Sequence, residues 1–100
     1  MQIDMAVKPA RNPSEVAEIV AIRALSFLAS EPERLGQFLS ESGIGPETLR
    51  ASASDPGFLA GVLDFILRDD ATVTAFSEFS QLPPATITAA REVLADHRHE

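Results

Sequence analysis

Cysteine is absent from this 100-residue chain. That removes a disulfide framework, a thiolate nucleophile, an iron–sulfur cluster and Cys-ligated zinc. Histidine is scarce: only His97 and His99 are present, so Ser–His catalysis has few candidates. No apolar run reaches the length of a bilayer span, and no N-terminal stretch has the charged region, apolar core and cleavage site of a secretory signal. A cytoplasmic protein without membrane association is therefore expected. Positive charge is also thin. Eight Lys and Arg stand against 15 Asp and Glu, giving a net charge of −7 and a pI near 4.7. The cations (Lys8, Arg11, Arg23, Arg34, Arg50, Arg68, Arg91, Arg98) are single and dispersed. A nucleic-acid binder gathers them on one face, because phosphate neutralisation supplies most of the affinity. Nucleic acid is thus a poor partner, and an anionic membrane surface an equally poor one.

What is present suits one small folded domain. Hydrophobic residues make up 45%, charged residues 23%, and the mean hydropathy is +0.06. That is enough apolar surface to offset ordering entropy. Proline punctuates the chain. Five of the seven prolines (Pro13, Pro32, Pro46, Pro56, Pro84) stand where a first helical turn belongs, where a missing amide proton costs nothing. Asn12 before Glu15, Ser30 before Glu33, Asp55 before Pro56, and Asp70 supply cap candidates, and Gly43 supplies a left-handed stop. The spacing predicts helices over about 13–29, 32–42, 46–53, 56–68, 71–80 and 84–97. Thr72-Val73-Thr74 is β-branched, but Val73, Phe76 and Phe79 recur at helical spacing. The expected fold is all-α, a compact bundle of about six short helices. Residues 12–97 form a single helical domain, residues 1–11 a flexible arm and 98–100 a frayed tail.

A shift of 38 residues lays 25–51 on 63–89, with seven of 27 pairs identical, among them Phe38/Phe76, Ser42/Ser80 and Pro46/Pro84. Two readings stand: a pair of pseudo-repeated three-helix units that bury their faces on each other, or reuse of similar turns. In each unit Leu35 or Val73, the Phe and the Ser share one side, with Ile44 or Leu82 as a buried plug after the turn. Five of the six Phe fall on apolar stripes and read as core. In the fourth segment Asp64 and Arg68 stand at i, i+4 on the polar side, an expected surface ion pair.

The first segment differs from the others. Val16, Val20, Ala24, Phe27 and Leu28 form its main stripe, while Ile19 and Ile22 land near the opposite side among Glu15, Glu18, Arg23 and Ser26. A helix apolar almost all round is either central or covered by a partner. Central burial ranks first. The second reading makes Glu18, Ile19, Ile22, Arg23 and Ser26 a candidate surface for an unknown protein partner or for self-association.

Chemistry-bearing constellations are sparse. Asp96, His97, His99 and Glu100 offer nitrogen and oxygen ligands, but His97 and His99 diverge on a helix, and a solvated end explains them. Glu31/Glu33 and Asp69/Asp70 suit helix starts, where negative charge complements the dipole. Gly43-Ile44-Gly45 lacks the Lys and Ser/Thr of a phosphate loop. No metal, no cofactor and no catalysis are expected. The function expected is a protein–protein interaction or regulatory adaptor. A helix-turn-helix nucleic-acid-associated regulator, read on Leu39 to Leu49, is the alternative.

Several stretches carry a family likeness: Ala24 to Ala29, Arg34-Leu35 to Phe38-Leu39, Ser42-Gly43-Ile44 with Pro46 to Leu49-Arg50, Asp55 to Leu59 running into Val62 to Phe65, Phe76, Leu82-Pro83-Pro84, and Ala90-Arg91 with Leu94. With them the chain resembles a short, functionally uncharacterised bacterial family, found mainly in alphaproteobacteria. These are core and turn residues. The resemblance implies a compact, cytoplasmic, all-helical protein and no reaction.

Overall fold

A computed structural model describes residues 12–98. Six helices follow one another: α1 (Pro13–Ala29), α2 (Pro32–Ser42), α3 (Pro46–Ser52), α4 (Pro56–Leu67), α5 (Asp70–Ser80) and α6 (Pro84–Arg98). No strand occurs among the described residues, so the all-α expectation holds. The arm proposed for residues 1–11, residues 99 and 100, and the His97 side chain lie outside what is described. Among the described residues no helix is long and apolar enough to cross a membrane.

Local chemistry sets the helix boundaries. Asn12 Oδ1 accepts the Glu15 amide at 2.8 Å, and Asp55 Oδ1 accepts the Gly57 amide at 3.1 Å. Two expected caps move. Asp69, not Asp70, caps α5: its carboxylate accepts both the amide and the hydroxyl of Thr72, at 3.1 and 2.7 Å. That pair satisfies the hydroxyl of a buried Thr72 and helps hold the β-branched stretch helical. Ser30 does not cap α2. It ends α1, with its hydroxyl turned back on the Phe27 carbonyl at 2.7 Å, and leaves Glu31 as an N-cap without a side-chain bond. Gly43 closes α2 in the left-handed region at φ 75°, where a β-carbon is strained.

The core is one cluster. α4 supplies Leu59, Ala60, Val62, Leu63 and Ile66, all buried. α6 lies on it with Ile87, Ala90 and Leu94, and α1 packs on both. α5 inserts Phe76, which meets Phe27 of α1 with ring centroids 5.5 Å apart. α2 adds Phe38, edge-on to Phe58 and Phe65 of α4. The short α3 stays at the edge, where Leu49 is half-buried.

Several sequence expectations are corrected by packing. Asp64 and Arg68 do not pair with each other. Asp64 bonds Arg91 of α6, and Arg68 bonds Glu41 of α2 at 2.8 Å, because both partners project from helices packed beside α4. Ile44 and Leu82 are half-buried rather than plugs. Of the two serines placed on the shared apolar side of their units, Ser80 is buried and Ser42 is exposed. Phe27, Phe38 and Phe76 are buried, Phe58 and Phe65 half-buried, and Phe79 is 50% exposed.

Candidate interaction surface

The inner face of α1 consists of Ala17, Val20, Ala21, Ala24, Phe27 and Leu28. The alanines at 17, 21 and 24 let α4 and α6 come close, so the buried stripe centres on them. Val16 is therefore pushed off the core face, against expectation, and is 43% exposed. Ile19 and Ile22 lie further round, 40% and 42% exposed. Central burial of this pair is overturned, because five companion helices fill only one side of α1.

All five candidate residues (Glu18, Ile19, Ile22, Arg23 and Ser26) lie together on this outer face, and all are exposed. Arg23 is anchored: its Nη1 donates to the Ser80 carbonyl at 3.0 Å, across 57 residues of sequence. That carbonyl belongs to the last residue of α5, where carbonyls lack intrahelical donors and a cation is favourable. The bond fixes α5 against α1 and places Phe79 beside the surface, its ring centroid 5.4 Å from that of Phe27. Val16, Ile19, Ile22 and Phe79 are thus the large exposed hydrophobics of the described residues.

Phe79 is the member that sequence periodicity missed. Its i+3 relation to Phe76 marks it as core, yet α5 is too near the edge of the bundle to bury both rings. The signal for Val16 lies in the small residues Ala17, Ala21 and Ala24, whose spacing of four and three marks where neighbouring helices approach.

Two shallow apolar grooves border the outer face. One, of about 350 Å³, runs between α1 and α3 and includes Ile22, Leu25, Leu49 and Ala53. The other, also about 350 Å³, runs between α1 and α6 past Val16, Thr86 and Val93. On the far side of the molecule a groove of about 320 Å³ between α2 and α4 is walled by Phe38, Phe58 and Phe65. Its charged rim is engaged in ion pairs, Arg68 with Glu41 and Asp64 with Arg91. The hydrogen-bonded Asp64 carboxylate holds the Arg91 guanidinium above its ordinary pKa. Next to this groove, the two hydrogen bonds from Thr72 hold the Asp69 carboxyl below the ordinary carboxylate value. Among the described residues no group of three or more His, Asp or Glu could hold a metal ion.

The chain matches a family model described as Protein of unknown function (DUF3572) over residues 14–97. The chain belongs to that family. The match begins at the second residue of α1 and stops one residue short of the end of α6, so the DUF3572 unit is the six-helix bundle itself. No curated protein and no solved structure matches the chain.

Proposed function

We propose that this protein is a cytoplasmic protein–protein interaction module without catalysis of its own, and that it docks through the outer face of α1. One observation carries the reading. Three large aliphatic side chains and one aromatic ring are exposed on or beside a single helix, with Glu18 and Arg23 at their margins. An apolar patch rimmed by polar groups is the usual form of a docking surface. The scaffold behind it is rigid, because α1 is packed on α4 and α6 along its length. Support for the non-catalytic part comes from the charged groups around the α2–α4 groove, which are committed to structural bonds. The absence of cysteine suits a reducing compartment. The nucleic-acid alternative finds less support, because α3 has seven residues, carries Glu47 in its first turn and offers Arg50 as its cation.

Affinity capture from the native host, with the wild type and Ile19→Glu as paired baits, tests the proposal. Proteins held by the wild type and lost by a folded variant support it. An identical set of captured proteins with both baits overturns it.

A further inference from the structure

The proposed docking face carries a pattern that points to its occupant. Along α1 the outermost residues are Glu15, Ile19, Ile22, Ser26 and Ala29, spaced 4, 3, 4 and 3, and all are exposed. That is the spacing of a helix–helix seam, with Ile19 and Ile22 as adjacent core positions and small residues after them that allow close approach. Glu18 immediately precedes the seam pair and Arg23 immediately follows it, on opposite flanks. They are five residues apart, the separation at which flanking charges meet across two parallel, in-register helices. In a two-fold arrangement parallel to α1, Glu18 of each copy faces Arg23 of the other. In an antiparallel arrangement like flanks meet, Glu18 against Glu18 and Arg23 against Arg23, which is repulsive. We infer that the outer face of α1 binds a second copy of this chain, forming a parallel two-fold dimer with Ile19 and Ile22 at its centre.

Two further features fit the same symmetry. Arg23 is already held in one place by the Ser80 carbonyl, so ordering it for the pair costs less entropy than ordering a free side chain. Phe79 lies on the Arg23 flank at the level of Phe27, while the α1–α3 groove opens on the flank of Glu18 and Leu25 over residues 22–29. A parallel two-fold brings those flanks together at equal height, so each exposed ring faces the other copy's groove. The interface is self-complementary, as a closed dimer requires.

This inference rests on the docking reading, and the two can fail separately. Sedimentation equilibrium of the full chain over a hundredfold concentration range should show a reversible monomer–dimer equilibrium. Glu18→Arg alone and Arg23→Glu alone should each raise the dissociation constant by about tenfold, and an equimolar mixture of the two should restore the dimer. Both positions are exposed, but Arg23→Glu also forfeits the bond to the Ser80 carbonyl, so circular dichroism first checks that each variant is folded; Glu18→Arg, which leaves that bond in place, carries the test if Arg23→Glu unfolds. In this cysteine-free chain, Ser26→Cys should give a disulfide-linked dimer on mild oxidation, because the parallel seam sets residue 26 against itself. A protein that stays monomeric throughout overturns the dimer, while host proteins lost with Ile19→Glu would still support docking. A dimer indifferent to both charge reversals, or one that the mixture fails to restore, overturns it equally.

Discussion

The helix pairs α2–α3 and α5–α6 share a turn but not a place in the molecule. The left-handed residues Gly43 and Gln81, at φ 75° and 63°, are 38 positions apart. Their amides donate to the carbonyls of Leu39 and Ser77, each at 2.9 Å and again 38 apart. Ser42 and Ser80 both bond back into the preceding turn, and Pro46 and Pro84 both open the next helix. Beyond the turn the likeness ends. α6 runs for 15 residues and buries Ile87, Ala90 and Leu94, whereas α3 stops after seven and buries none of its described side chains completely. Identical local punctuation therefore does not fix whether a pair is core or rim. The apolar length of the helix that follows does, because it decides how much of α1 and α4 can be covered.

That contrast can be broken by experiment. The largest effect is expected from the matched phenylalanines. Phe76 sits between α1 and the rest of the core, so Phe76→Ala should cost about 4–5 kcal/mol in urea unfolding. Phe38, beside the open α2–α4 groove, should cost less when truncated, about 3 kcal/mol, because the site can relax. Equal losses, or the reverse order, would erase the distinction between core and rim.

Next come the two left-handed stops, where the substitutions should act in opposite directions. Gly43→Ala places a β-carbon at positive φ and should destabilise by about 1 kcal/mol. Gln81→Gly removes that strain and should stabilise by up to about 1 kcal/mol, read as a shift in melting temperature. A smaller effect separates the ion pairs that tie each unit to α4. Double-mutant cycles should give about 0.2–1 kcal/mol for Asp64–Arg91 and for Glu41–Arg68, both fading with salt, and the less exposed Asp64–Arg91 pair should be the stronger.

The last contrast concerns the two helix starts, Glu31 and Asp69, which are also 38 apart. The Glu31 carboxylate is pulled away to Arg34, at 3.0 Å, and does not cap α2. Asp69 caps α5, and its folded pKa is depressed by the Thr72 hydroxyl and amide. A depressed carboxylate stabilises the fold above its unfolded pKa, and that contribution is lost as pH falls through the folded value. Asp69→Asn should therefore flatten the acid side of the stability profile, from the ordinary carboxylate range downward, and leave its alkaline side alone. An unchanged acid limb in chemical denaturation would show that the cap bond adds nothing.

Much of this is legible in the sequence alone. Proline at a first turn, Asn12 and Asp55 as caps, and Gly43 as a stop each act within about four residues, so helix number and boundaries follow from neighbours in the chain. The candidate surface was half legible. Ile19 and Ile22 stood out as apolar on the wrong side, but their exposure was not readable, because it depends on how many helices surround α1. Phe79 joined them only once Arg23 had tied α5 to α1 from 57 residues away.

By itself, then, the sequence settled six helices, their starts and stops, the family, and a charged margin around an odd pair of isoleucines. Tertiary packing alone decided which side of α1 faces inward, that Asp64 answers Arg91 rather than Arg68, and that Ser80 is enclosed while Ser42 is wet. The reason is range. Backbone capping is satisfied by the nearest few residues, whereas burial and ion pairing are set by whichever helices three-dimensional closure brings alongside.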